Sequence, residues 1–200
     1  MSTHWRKKQS KDRYFRQAKE EGYRARSAFK LIQMNETFKL IQRGDRVLDL
    51  GAAPGGWSQV ALELVGPQGR VIALDIAAME PIPGVTILQG DMNSPQVQEE
   101  VLKAASGEMD VVLCDAAPSV SGLRDRDHTL SIELAESALH VARQLLRPGG
   151  SFVVKVFEGE SFPAYLQEVR RSFAAVKPHH PAASREESRE IYVVARGYKR

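Results

Sequence analysis

The stretch Val47-Leu48-Asp49-Leu50-Gly51-Ala52-Ala53-Pro54-Gly55-Gly56-Trp57 constrains the fold more than any other part of the chain. An apolar run passes into small, turn-forming residues and then into a helical pattern, the strand-to-helix transition of a parallel α/β sheet. Ligands of such sheets settle beyond the carboxyl ends of the strands, where loops of this kind leave backbone N–H groups free. Gly51 and Pro54, both in this loop, are candidate cofactor contacts. The loop is not G-x-G-x-x-G, and Asp49 stands just before it. A carboxylate sits badly beside a pyrophosphate but well beside an amine or a sulfonium, which favours S-adenosylmethionine over a dinucleotide. The bland alternative for the loop is a tight connection with no ligand.

The pattern recurs along the chain. Val71 to Asp75 reads as a second strand ending in an acid, and a carboxylate there can accept hydrogen bonds from both ribose hydroxyls of an adenosine. Val85 to Asp91 is a third, with Asp91 placed to take an exocyclic amine and Met92 to pack on the adenine ring. Asp110 to Asp115 is a fourth. Between them, helical patterns cover Ser58 to Val65 and Ser94 to about Ala105, and Tyr23 to Asn35 reads as an earlier helix with Ser27 as a possible cap. Within it, Lys30 taken alone is an ordinary exposed helix lysine. A polar loop from Val120 to His128 is expected over the crevice, followed by an amphipathic helix from about Thr129 to Leu146. The strand Ser151 to Phe157 carries Lys155, an anomaly, because a parallel strand covered on both faces is apolar throughout and a buried ammonium needs a partner. Lys155 is therefore expected to point into the site. A last helix covers Ser161 to Phe173, Val176 to Pro178 forms a short strand or a turn, and Ile191 to Ala195 is a terminal strand. Seven strand candidates alternating with helices make a doubly wound α/β sheet.

Composition narrows the partners. The net charge of +3 is distributed unevenly, since residues 1–26 hold nine Lys/Arg against three Asp/Glu. That basic N-terminal arm interleaves its cations with Trp5, Tyr14 and Phe15, which suits phosphate contacts and stacking on unpaired bases of RNA; a solvated tail is the bland reading. A single cysteine, Cys114, excludes an internal disulfide and is expected buried and inert. His179 and His180 lack ligand-spaced partners, so no metal is expected. No apolar run is long enough for a membrane span and the N-terminus is charged, so a soluble, cytoplasmic protein is expected.

With Lys30, Asp115, Lys155 and Glu190 placed, the sequence closely resembles the FtsJ/RrmJ family of ribose 2′-O-methyltransferases, which carry a Lys-Asp-Lys-Glu tetrad on a Rossmann-like methyltransferase fold. The likeness runs in order through Ser27 to Leu31, Asp49 to Trp57, Cys114 to Pro118, Val154-Lys155 and Ser188 to Tyr192. It implies Lys30, Asp115, Lys155 and Glu190 as catalytic, and Gly55, Trp57, Asp75, Asp91 and Asp115 as contacts to S-adenosyl-L-methionine. It further implies a seven-stranded, mostly parallel sheet with helices on both faces and an antiparallel last strand, residues 27–200 forming one methyltransferase domain. The implied substrate is a uridine ribose of 23S ribosomal RNA in the assembled large ribosomal subunit, in the course of rRNA processing and ribosome biogenesis. Nothing in the sequence points to an obligate protein partner, so a monomer is expected. Transfer RNA, or a noncatalytic RNA-binding role in ribosome assembly, are the competing readings. A nicotinamide-dependent dehydrogenase shares the fold, but the missing phosphate loop speaks against it.

Overall fold

A computed structural model describes residues 13–119, 121–184 and 188–200. The part of the basic arm around Trp5 lies outside the described residues, as does Arg185 to Glu187 of the mixed-charge segment before the last strand. A helix over 13–21, α1, is followed by α2 (Ala28–Phe38), β1 (Arg46–Leu50), α3 (Gly56–Val65), β2 (Arg70–Asp75), β3 (Val85–Gln89), α4 (Pro95–Ala105) and β4 (Met109–Cys114). Then come α5 (Arg124–Leu145), β5 (Leu146–Phe157), α6 (Phe162–Ser172), β6 (Phe173–His179) and β7 (Glu190–Tyr198). The strands form one sheet in the order β3-β2-β1-β4-β5-β7-β6. β1 to β5 pair in parallel, and β7 runs antiparallel between β5 and β6. Among the described residues no helix is long and apolar enough to cross a membrane.

Both faces of the sheet are covered, which explains why its strands are apolar at nearly every position. Leu48, Ile72, Val112, Cys114, Phe152, Val154 and Val193 turn to a core shared with α4, α5 and α6. Val47, Val71, Val111, Leu113, Val153, Tyr192 and Val194 turn the other way, against α2 and α3. Strand alternation then decides where the polar residues go. Asp49 follows Val47, Lys155 follows Val153, and Glu190 precedes Tyr192, each by two residues, so all three share the α2/α3 face. Cys114 is buried as expected, and burial pushes its thiol up to about 12.

Several boundaries differ from those read in the sequence. Residues 23–27 are turns, with the N–H groups of Ala28, Phe29 and Lys30 bonding three residues back, so the helix starts at Ala28. Ser27 makes no side-chain cap bond there. The expected polar loop ends at Leu123, because α5 begins at Arg124 and buries Asp127 and His128. Their partners make that burial possible. Asp127 accepts hydrogen bonds from the N–H and Oγ of Ser121 and from the Gly122 N–H, and these hold its carboxyl below the usual carboxylate range. The stretch around Val176 is a full edge strand, where Pro178 has no ladder bond to lose.

His128 locks the end of β5. Its Nε2 accepts the Ser161 N–H at 3.0 Å, which leaves Nδ1 to donate to the Phe157 carbonyl at 2.9 Å, while the Phe157 N–H donates to Ser131 Oγ at 2.7 Å. A Cβ on Gly159 would lie 2.5 Å from the His128 ring. Because the ring is held at both nitrogens it cannot give way, and we predict that Gly159→Ala destabilises by about 1–3 kcal/mol in denaturant unfolding. The loss should largely vanish when His128→Ala is combined with it; an equal loss in both backgrounds would contradict this packing.

Candidate active site

The cofactor-type loop takes its shape from contacts between neighbouring strands. After β1 the N–H groups of Gly51 and Ala52 both donate to the Leu74 carbonyl at the end of β2. Gly51 has φ of 65°, and a Cβ there would sit 2.4 Å from Ala116 Cβ, so only glycine lets the loop after β1 and the loop after β4 approach so closely. Ala53 N–H donates to Asp75 Oδ2 at 2.9 Å, and Ala77 N–H to Asp75 Oδ1 at 2.8 Å, so the acid ending β2 aligns the loops on either side of it.

These loops border a cleft of about 550 Å³ at the carboxyl edge of the sheet, lined among others by Gly51, Asp75, Ile76, Asp91, Met92 and Asp115. Asp91 accepts from the Asn93 N–H at 2.9 Å, which fixes its carboxylate at the rim. A smaller hollow of about 40 Å³, lined by Asp49, Pro54, Trp57 and Asp115, shares Gly51, Ala53 and Asp115 with the cleft. Gly55 lines neither; it is the N-cap of α3, with φ of 112°. Trp57 is buried, its Nε1 donating to the Ser27 carbonyl at 2.8 Å and its ring centroid 5.8 Å from that of Tyr192.

Asp49 is fully enclosed. One carboxylate oxygen accepts a 2.6 Å bond from Ser58 Oγ, and the other, Oδ1, has no partner among the described residues. Burial, opposed by the Ser58 bond and reinforced by Asp115 and Asp75, pushes this carboxyl up to about 7. A buried acid with an orphaned oxygen, lining the small hollow with the Gly51–Pro54 loop, fits a ligand that brings a positive charge.

Beyond Asp115 lie two linked ion pairs. Lys155 Nζ donates to the Asp115 carbonyl at 2.6 Å and lies 3.2 Å from Asp115 Oδ1. Lys30, buried on α2 although its helical position taken alone reads as exposed, has its Nζ 2.8 Å from Glu190 Oε2. Phe29 and Leu31 on either side of it are core residues, which turns this part of α2 inward. Tyr192 joins the pairs: its hydroxyl accepts from Lys30 Nζ at 3.2 Å and donates to Asp115 Oδ1 at 2.6 Å. Strand register brings them together, since antiparallel β7 pairs Tyr192 with Lys155 and Glu190 with Phe157. Although burial raises it, the Lys30 ammonium, its hydrogen bond and Lys155 hold the Glu190 carboxyl below its ordinary value. The Tyr192 hydroxyl is raised well above its own, by burial first and then by Asp115. Sequence reasoning missed Tyr192, which reads as one more apolar strand residue; its spacing of two from Glu190 was the available signal. His179 packs edge-on against Phe38, and the exposed His180 donates from Nδ1 to the Glu190 carbonyl at 3.1 Å, a contact to the backbone of the network and not to its charged groups.

Comparison with known proteins identifies the family of the chain. The FtsJ-like methyltransferase family matches over residues 23–198. The chain is 54% identical over 186 residues to the ribosomal RNA large subunit methyltransferase E of Methanothrix thermoacetophila, covering 93% of this chain and 72% of that one. It is 47% identical to the protein of the same name from Archaeoglobus fulgidus, over 96% of this chain and 99% of the other. A solved ribosomal RNA methyltransferase structure from Plasmodium falciparum superposes with a TM-score of 0.79 at 29% identity, over 88% of this chain and 98% of that chain. The mycinamycin-pathway methyltransferase MycE, solved with Mg and S-adenosylhomocysteine, shares the fold alone, with a TM-score of 0.56 at 16% identity over 96% of this chain and 49% of that one. The chain is therefore a methyltransferase and belongs to the FtsJ-like methyltransferase family.

Proposed function

We propose that this enzyme transfers the methyl group of S-adenosylmethionine to a ribose 2′-hydroxyl, on a uridine of 23S ribosomal RNA in the large ribosomal subunit. The observation that carries the reading is the pair of buried ammonium–carboxylate contacts joined through Tyr192 at the mouth of the cleft. The names of the relatives support the RNA substrate.

The large cleft suits an adenosine, with Asp75 toward the ribose hydroxyls and Asp91, Met92 and Ile76 around the base. Gly51, Pro54, Trp57 and Asp49 would then hold the amino-acid end, the Asp49 carboxylate supplying the counter-charge to its ammonium. When bound, S-adenosylmethionine supplies an electrophilic methyl carbon on a sulfonium. The protein must hold a ribose oxygen in line with that carbon and manage the hydroxyl proton. Two of the three Lys155 N–H directions are committed to Asp115, which leaves one nitrogen position for the incoming hydroxyl. Neutral, that nitrogen accepts the proton; charged, it stabilises the alkoxide as water takes the proton. Lys30 and Glu190 hold Tyr192, and through it Asp115, in register with Lys155.

The direct test is transfer of labelled methyl to large ribosomal subunits, naked ribosomal RNA and transfer RNA side by side. Label on the subunit is expected, and Lys155→Met should cut transfer at least about 100-fold while keeping S-adenosylhomocysteine affinity. Label on transfer RNA alone would move the substrate, and RNA binding without any transfer would support an assembly role.

Asp49 gives a pH prediction. The folded chain holds the Asp49 proton up to about pH 7, whereas the unfolded chain releases it near pH 4. Stability is thus eroded as pH rises from about 4 to about 7, by on the order of 4 kcal/mol. Asp49→Asn should raise the melting temperature at pH 8 and leave it unchanged at the lowest pH. Cofactor affinity should increase with pH through about 7 in the wild type, since a cation favours the ionised acid, and should be weak and flat in the variant. A pH-independent affinity in the wild type would contradict the pairing.

RNA contacts extend to α1. Tyr14 and Ala18 face inward, with the Tyr14 ring 5.5 Å from Phe29 and its hydroxyl accepting from Gln33 Nε2. Phe15, 62% exposed, stands on the outer side with exposed Lys19 one turn on and Arg13 nearby. Such an aromatic between cations suits an unpaired base and its phosphates. Phe15→Ala should weaken binding of single-stranded RNA by about 1–3 kcal/mol without altering S-adenosylhomocysteine affinity; unchanged RNA binding would remove α1 from the interface.

A further inference from the structure

Arg24 lies in the turn that leads into α2, and its guanidinium bonds three backbone carbonyls. It donates to the carbonyls of Pro54 at 3.2 Å, Glu80 at 2.7 Å and Pro81 at 2.7 Å. The first belongs to the loop after β1, the other two to the connection between β2 and β3. The backbone of this turn is fixed in its own right: the Arg24 N–H donates to Gln59 Oε1 at 2.8 Å, and Gln59 Nε2 to the Gly22 carbonyl at 3.0 Å, so α3 anchors Arg24 from below. Packing is tight at the junction. A Cβ on Gly55 would lie 2.6 Å from Ile82 Cδ1, 3.3 Å from Met79 Cε and 3.4 Å from Arg24 Cδ.

Resting on the cofactor reading above, we propose that Arg24 is a positioning residue for cofactor binding. It gathers the carbonyls of the two loops that flank the cleft and so sets the distance between the Gly51–Pro54 turn and the segment that follows Asp75. The cleft itself is bounded by these loops, through Gly51 and Ala53 on one and Asp75 and Ile76 on the other. Asp75 ties them from inside by accepting from Ala53 and Ala77, and Arg24 ties them from outside. A planar guanidinium can serve three carbonyls spread around its edge, which the ammonium of lysine, a point donor on a flexible stem, cannot do in one geometry. Arg24 touches neither of the linked ion pairs, so its effect belongs to cofactor affinity and not to the transfer step.

Calorimetric titration with S-adenosylhomocysteine tests this on the full chain. Arg24→Lys keeps the positive charge and removes the fork. Its Kd should rise about tenfold, while kcat at saturating S-adenosylmethionine and affinity for large-subunit RNA change by less than about twofold. An unchanged Kd overturns the proposal, as does a loss of RNA affinity with normal cofactor binding, which would make Arg24 a phosphate contact. Failure of the wild type to bind S-adenosylhomocysteine removes the cofactor reading and the proposal with it. Hydrogen exchange on the wild type gives a second test that needs no variant: the ligand should slow the amides of Ala53, Gly55 and Gly56 together with those of Met79, Glu80 and Ile82. Slowing confined to the first group overturns the proposal.

Discussion

Two ammonium groups held beside two carboxylates within a largely dry sheet edge govern the rest of this structure. Lys155, on a central strand, and Lys30, on a helix packed against that strand's face, have side chains only 8% and 10% exposed. Each would be costly without its acid, and removing one partner of such a pair leaves an uncompensated charge worth roughly 3–5 kcal/mol. Replacing such pairs with apolar side chains often stabilises a protein, so stability alone gives little reason for them. Their position beside a cleft and their mutual link through one tyrosine hydroxyl give the functional reason.

Topology makes the cluster possible. Had the last strand been parallel, its first residues would lie at the amino edge, far from the ends of β1, β4 and β5. Because β7 runs antiparallel, Glu190 starts at the carboxyl edge, and the register opposite β5 sets Tyr192 beside Lys155. Alternation then sends Asp49, Lys155, Glu190 and Tyr192 to the same face, where α2 supplies Lys30. Trp57 ties the two halves of the site together: it opens the helix after the cofactor-type loop, bonds the carbonyl of Ser27 just ahead of α2 and packs near Tyr192. The cofactor-type loop and the helix bearing Lys30 therefore form one packed unit.

Much of this was legible in the residues. Asp75 at the end of β2, Asp91 shortly past β3 and Asp115 just past β4 stand out because each follows an apolar run, and Asp49 and Lys155 stand out because each interrupts one. Lys30 and Glu190 were visible only through the family resemblance. Their partnership spans 160 positions of sequence, and helical spacing alone makes Lys30 an exposed lysine. Tyr192 was hidden for a related reason: a tyrosine in an apolar strand shows its ring in the pattern but not the acceptor its hydroxyl will find. Asp127 and His128 looked like loop residues because their polarity is visible locally while the groups that satisfy it, Ser121, Gly122, Phe157 and Ser161, are supplied by the fold. Arg24 reads as one more cation of a basic segment, since carbonyl acceptors leave no trace in sequence.

The central claim is that this ion-pair cluster serves a ribose oxygen and not a base. The most direct measurement is to treat large ribosomal subunits with the enzyme and S-adenosylmethionine, recover the RNA, and map both alkali-resistant linkages and methylated nucleosides by mass spectrometry. A methyl on the 2′-oxygen blocks cleavage at its own phosphodiester. The account predicts a new alkali-resistant linkage at a nucleotide whose methyl resides on the sugar. A methyl recovered on the base, with that linkage still cleaved by alkali, would contradict it.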